Sequence, residues 1–293
     1  MIRQDSGFTS DGTRCAGRLY LPAGRGPHPA VIMAHGFAAE CGFGLPAFAE
    51  QFVARKLAVY MFDYSHFGAS EGEPRHLLNP ALQIRNWRAA VEHLRRLPDI
   101  QSDRIALWGT SFSGGHVLAV AAKTPGLAAV VAQVPFVDGL AVTMNSGLGF
   151  ALEGTLHGLR DILRAVTFRQ PYYVPVVADP DTFAVMNTPE SKPGYLALIP
   201  EGSTWVNRCP ARIFWRIPFY RPGNLASKIR CPVMIIAAEK DSLIPLKAVE
   251  KTARKIKEVE YIALPVGHFA LYAGDTFDHV SALQANFLQQ HLV

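Results

Sequence analysis

The sequence predicts an α/β protein, with a mostly parallel central sheet, helices on both faces and one inserted segment. Three observations carry that expectation. Short, wholly apolar runs such as Ala30 to Ala34 and Val233 to Ala237 recur along the chain in the form that buried parallel strands take. Stretches of helical spacing separate them. Between residues 136 and 228 the alternation stops, and afterwards it resumes.

Taken in order, Arg14 to Leu21 alternates weakly and ends at Pro22, which predicts an early antiparallel strand broken by Ala23-Gly24-Arg25-Gly26-Pro27. The buried strand Ala30 to Ala34 follows. A helix is marked by Leu45, Phe48 and Phe52, a strand by Leu57 to Phe62, and a second helix by Ile84, Trp87, Val91 and Leu94. Ile105 to Trp108 is the next strand, Val117 to Ala122 lies in a helix, and Ala128 to Val134 reads as a strand again. Residues 136–228 are rich in proline and aromatics, and within them only Leu148 to Val166 has clear helical periodicity. This segment is a candidate lid. The pattern returns with the strand Val233 to Ala237, a basic helix near 246–257, a strand at Val259 to Leu264 and a last helix carrying Val280, Leu283 and Phe287 on one face. The expected organisation is therefore a core of residues 1–135 and 229–293 with a cap of residues 136–228.

A chain of 293 residues, 49% apolar and 18% charged, can bury a large core and leaves little room for disorder. The net charge of +5 comes from basic residues scattered among acidic ones, which argues against nucleic acid as a partner. The run Lys247 to Lys257 contains Glu250 and reads as a solvated helix face. Cys15, Cys41, Cys209 and Cys231 have neither C-x-x-C spacing nor a histidine at metal-finger intervals, so reduced thiols are expected and no metal or other cofactor is implied. The first residues lack the apolar core of a secretory signal, and no window approaches a membrane span. A cytoplasmic location is expected.

The chemistry gathers around Trp108-Gly109-Thr110-Ser111-Phe112-Ser113-Gly114-Gly115, a strand running through a turn into a helix. A serine on so sharp a turn needs small residues two positions away on each side, and Gly109 and Ser113 meet that need. Gly114 and Gly115 let the helix approach the sheet, and its N-terminus favours negative charge near the serine oxygen. Ser113 is a rival nucleophile, but two residues further on it falls inside the helix.

These residues resemble the α/β-hydrolase family, whose motif is G-x-S-x-G, with Ser113 standing in place of the last glycine. The resemblance covers roughly residues 10–135 and 228–293. His35-Gly36-Phe37, directly after a buried strand, is similar to the family's oxyanion loop, which implies the backbone N–H groups of Phe37 and Phe112 as the donors to a tetrahedral oxyanion. His35 itself reads as structural. The family order of serine, acid and histidine implies Asp241, at the end of the strand Val233 to Ala237, as the acid, and His268, in the loop after Val259 to Leu264, as the base. Asp138 and Glu239 are rival acids. Among the ten histidines, His116 and His157 lack the position after a strand and the chain order that single out His268. The loop Phe62-Asp63-Tyr64-Ser65-His66-Phe67-Gly68 also resembles a family loop, in which Asp and Gly shape a turn.

A serine nucleophile disfavours the dehalogenases and epoxide hydrolases of this fold, which use aspartate there. The resemblance implies a serine hydrolase that cleaves a carboxylic ester or thioester with an apolar acyl part through an acyl-enzyme on Ser111. Transfer of the acyl group to an alcohol or amine is the alternative, and the whole layout is similar to polyketide acyltransferases and thiohydrolases. A binding module that kept the fold is the alternative from another class. The inserted aromatics Phe168, Tyr172, Tyr173, Phe183, Trp205, Phe214, Trp215, Phe219 and Tyr220 either line an acyl pocket or form the cap's own core. The expected partner is a small-molecule ester or thioester, with a homodimer admitted.

Overall fold

Ala30, Val31, Ile32, Met33 and Ala34 are each fully buried in the computed structural model, which describes residues 1–293. Only a strand covered on both faces can bury five consecutive side chains, so the sheet must carry helices on each side. In chain order the strands are β1 (Ile2–Asp5), β2 (Phe8–Ser10), β3 (Thr13–Cys15), β4 (Gly17–Leu21), β5 (His28–Ala34), β6 (Ala58–Phe62), β7 (Ile100–Thr110), β8 (Ala129–Gln133), β9 (Tyr173–Val174), β10 (Cys209–Pro210), β11 (Val233–Ala238) and β12 (Val259–Leu264). Eight of them form the central sheet in the order β1-β4-β6-β5-β7-β8-β11-β12. Only β4 runs against the rest, since it is antiparallel to both β1 and β6 while the other neighbouring pairs are parallel.

The helices are α1 (Leu45–Ala54), α2 (Pro80–Leu94), α3 (Phe112–Ala121), α4 (Gly139–Asn145), α5 (Leu148–Val166), α6 (Ser191–Leu196), α7 (Ile213–Arg216), α8 (Leu246–Ala253) and α9 (Gly274–Leu292). Successive residues of a strand point to opposite faces, and β5 divides accordingly. Ala30, Ile32 and Ala34 join a core with Trp87 and Val91 of α2 and Val117 of α3, whereas Val31 and Met33 join a second core with Phe48 and Phe52 of α1 and Leu288 of α9. Both faces are thus covered. No helix is long and apolar enough to cross a membrane.

Two local expectations differ from the structure, and one strand, β1, has no counterpart among them. The strand expected over Arg14 to Leu21 is divided at Ala16, whose N–H donates to Ser70 Oγ at 2.7 Å, so that β3 closes a hairpin on β2 and β4 alone enters the sheet. The basic helix near 246–257 ends at Ala253, after which Lys255 and Ile256 close three-residue turns onto Thr252 and Ala253. β1 carries no sequence signal because all four of its side chains are exposed.

Residues 136–228 contribute no strand to the central sheet; their β9 and β10 pair only with each other. α5 rests on α7 through two glycines, since a Cβ at Gly154 or Gly158 would lie 2.5 Å from the ring of Phe214 or Trp215 respectively. Asp161, fully buried on α5, ties the segment together by accepting from the amides of Tyr172 and Arg212 and pairing with the Arg212 guanidinium at 2.6 and 3.0 Å.

Candidate active site

The turn between β7 and α3 holds Ser111 at φ 55° and ψ −120°, a backbone region costly for a residue with a Cβ. The neighbours make the turn possible. A Cβ at Gly109 would lie 2.4 Å from the Ser113 carbonyl oxygen, and one at Gly115 would lie 2.1 Å from that of Phe136. Ser111 is clamped to the strand beside it, its N–H donating to Gln133 O and its carbonyl accepting from Phe136 N, each at 2.9 Å. Ser113 is fully buried, and its Oγ lies 2.9 Å from the Tyr64 hydroxyl, which also accepts from Trp87 Nε1. That hydroxyl is occupied inside the core, whereas the Ser111 hydroxyl faces a cavity.

Three loops at the carboxyl edge of the sheet bring Ser111, His268 and Asp241 together. His268 Nε2 lies 3.1 Å from Ser111 Oγ, and its Nδ1 donates to Asp241 Oδ2 at 2.7 Å. The other carboxylate oxygen, Oδ1, accepts from the amides of Leu243 and Ile244 at 2.8 and 2.9 Å, which fixes the carboxylate plane. Both side chains of the His268–Asp241 pair are almost wholly buried. Burial works against the imidazolium, but the charge and hydrogen bond of Asp241, with Glu190 beyond them, outweigh it and hold the His268 pKa above its ordinary value.

The amides of Phe37 and Phe112 have no hydrogen-bond partner in the protein, and both residues border the cavity beside Ser111. Gly36 lets the first loop come close, because a Cβ there would sit 3.3 Å from that of Ser111. The inserted segment steadies this loop: Tyr195 OH donates to Phe37 O at 2.9 Å and Trp205 Nε1 to Ala38 O at 2.8 Å.

The remaining candidates lie elsewhere. His35 is fully buried, its Nδ1 donates to Gly36 O, and burial lowers its pKa. Asp63 accepts from Cys41 N and Ala69 N, shaping the turn in which Gly68 has φ 49°. Asp138 caps α4, accepting from Leu140 and Ala141, and pairs with Arg221 at 2.9 Å. Burial raises its pKa, but Arg221 and the two amides hold it below the usual value. Glu239 is exposed. His116 donates from Nε2 to Gln83 and accepts at Nδ1 from Tyr220 OH, and burial pushes its pKa down to about 3. His157 stacks on Tyr172 and lies tilted against Phe183.

Glu190 was not singled out from the sequence. It reaches from the inserted segment to accept from Ser242 N and Ser242 Oγ with Oε1, and from His268 N with Oε2 at 3.0 Å. It therefore ties the loop of Asp241 to the loop of His268. The only sequence signal is Gly267, where a Cβ would lie 2.4 Å from Glu190 Oε2.

Two cavities meet at Ser111. The larger, about 290 Å³, is walled by Phe37, Phe112, Phe136, Phe150, Phe214 and Ile217 among others, and no charged side chain lines it. The smaller, about 30 Å³, lies between Ser111, His268, Phe269 and Tyr272. Of the nine aromatics weighed as acyl-pocket lining only Phe214 reaches the larger cavity, joined there by Phe136 and Phe150 of the same segment, while Phe183 packs behind it, Trp205 sits on Phe43 and Phe168 is almost fully exposed.

Comparison with known proteins adds family context. Residues 11–270 match the family described as X-Pro dipeptidyl-peptidase (S15 family). The quorum-quenching protein AidA of Acinetobacter baumannii is 38% identical over 286 residues, 98% of this chain and 94% of its own. The thiohydrolase aneE of Aspergillus aculeatus is 37% identical over 131 residues, 45% of this chain and 41% of its own, and fungal polyketide transferases are also among the relatives. The crystal structure of the α/β-hydrolase GrgF from Penicillium sp. sh18 superimposes with a TM-score of 0.84 at 26% identity, covering 100% of this chain and 99% of that one.

Proposed function

Because the chain belongs to the X-Pro dipeptidyl-peptidase (S15) family of α/β-hydrolases, we propose that it is a serine hydrolase cleaving a carboxylic ester or thioester with an apolar acyl part. The observation that carries this reading is the continuous hydrogen-bonded line from Ser111 through His268 to Asp241 at the floor of an uncharged cavity. His268 takes the proton of Ser111 as the hydroxyl attacks the acyl carbon, and Asp241 stabilises the resulting imidazolium. The N–H groups of Phe37 and Phe112 receive the oxyanion. His268 then protonates the leaving alcohol or thiol and activates a water against the acyl-enzyme. Residues 1–135 and 229–293 serve as the catalytic core and residues 136–228 as a cap over it.

The cavities favour an ester or thioester over the peptide in the family's name. A dipeptidyl-peptidase must hold the free ammonium of its substrate, and no carboxylate lines the larger cavity. That cavity suits the acyl part. The smaller one, at about 30 Å³ beside His268, suits a single water, which supports hydrolysis as the second step. Transfer to an alcohol or amine is the second reading, supported by the polyketide transferases among the relatives. Four cysteines without a disulfide support the reducing cytoplasm as the working compartment.

A fluorophosphonate probe tests the reading directly. It should label the wild type and Ser113→Ala but not Ser111→Ala; labelling lost only in Ser113→Ala would overturn the assignment. Release of free acid from a chain-length series of esters and thioesters, unchanged by added alcohols, supports hydrolysis, while an acylated alcohol as the main product selects transfer.

Glu190 acts as a positioning residue in this scheme. In Glu190→Gln the amide NH2 must face either Ser242 N–H or His268 N–H, and a negative charge near the imidazolium is lost. The charge of Glu190 raises the His268 pKa, so its loss should move the acid limb of the kcat/KM profile to lower pH. A fall in kcat of about tenfold with little change in KM is expected. An unshifted acid limb would reduce Glu190 to a structural tie.

A further inference from the structure

Sixteen large apolar side chains are exposed on this protein, and thirteen of them lie between residues 140 and 219. Six are on α5: Leu148, Leu152, Leu156, Leu159, Leu163 and Val166. At 100° per residue they fall within a stripe roughly 80° wide, running about 27 Å along the outer side of the helix. The opposite side of α5 is already committed, since Gly154, Gly158 and Asp161 are its buried positions. Met144, Phe168 and Phe219, each more than 70% exposed, lie on segments adjoining the helix. From their fractional exposures these nine side chains leave roughly 1,000 Å² of apolar surface open, more than the largest patch of an ordinary monomer and close to what each partner buries in a stable dimer.

We propose that this face joins two copies of the chain, with their α5 helices packed antiparallel about a twofold axis. Two features point to a second copy. The stripe follows the three-and-four spacing of a helix-to-helix seam, so the same surface on another molecule can interdigitate with it. The charges on its flank are also self-complementary in that orientation. The stripe is centred at residue 157, midway between Leu148 and Val166; Glu153 lies four residues before this point and Arg160 three after it, on the same flank. A twofold axis there brings Glu153 of each copy opposite Arg160 of the other, with Arg164 one turn further along. A parallel pairing about a twofold axis would instead place the two flanks on opposite sides of the seam, where these charges cannot meet.

Sedimentation velocity of the full chain from about 1 to 100 μM tests the proposal. The wild type should be a dimer, and Leu152→Glu combined with Leu159→Glu, both at exposed positions, should give a monomer with an unchanged circular dichroism spectrum. Glu153→Arg or Arg160→Glu alone should weaken the dimer about tenfold, and the two together should restore it, because the exchanged charges still face each other. A wild type that stays monomeric, a dimer indifferent to the leucine substitutions, or a charge exchange that fails to restore affinity would each overturn the proposal. The arginines on the flank also suit an anionic lipid surface. A monomer that co-sediments with phosphatidylglycerol vesicles, and loses that binding with the leucine substitutions, would assign the face to a membrane and refute the dimer.

Discussion

Replacing Ser111 with alanine should lower kcat/KM on a reactive ester by about 10⁵-fold while leaving the fold intact. The loss is large because the reaction changes in kind. Without Oγ no acyl-enzyme forms, and the free amides of Phe37 and Phe112 can assist only direct attack by water, which leaves a residual acceleration on the order of 10³-fold. Ser113→Ala, made two residues away, should change kcat/KM no more than a few-fold, since its hydroxyl is spent on Tyr64. Backbone strain supplies a second readout. Alanine keeps the Cβ that makes φ 55°, ψ −120° costly, whereas glycine does not, so Ser111→Gly should be inactive yet more stable than Ser111→Ala by about 1 kcal/mol in urea denaturation. Equal stability of the two variants would mean that the turn stores no strain.

The candidate site and the sheet are legible in the sequence for the same reason: both depend on local chemistry. Strands covered on both faces must be apolar throughout, so β5, β6, β8 and β11 could be read directly from their runs. Ser111 could be read because its turn forbids a Cβ at Gly109 and Gly115. Glu190 could not, because an acid joining two distant loops leaves no spacing in its own neighbourhood. The inserted segment was opaque for a related reason. Its order rests on long-range ties such as Asp161 with Arg212, and on glycines that admit Phe214 and Trp215 against α5. Its aromatics divide between the cavity wall, packing and the exposed face, a division that composition alone does not encode.

Asp241→Asn should lower kcat by about 10⁴-fold through a change of tautomer. The wild-type carboxylate uses Oδ1 for the amides of Leu243 and Ile244 and Oδ2 for His268. Asparagine has one oxygen, and two fixed N–H donors will claim it, so its NH2 must face His268 Nδ1. That nitrogen then has to accept, the ring proton moves to Nε2, and the nitrogen beside Ser111 can no longer take the hydroxyl proton. The charge is lost as well, and with it the leading influence that raises the His268 pKa, so burial dominates and the pKa should drop below its ordinary value. Stability should respond with opposite signs in the two proteins. In the wild type the raised pKa makes His268 stabilising below its unfolded pKa of about 6.5, and this contribution fades as pH rises through the folded value. In Asp241→Asn, acidification through the same region should instead destabilise the fold, because the unfolded state takes up the proton more readily. Urea denaturation of both proteins at about pH 8 and pH 5.5, read as the difference between them, isolates the His268 contribution. If the gap between the two does not widen at the lower pH, Asp241 is not the charge that raises the His268 pKa.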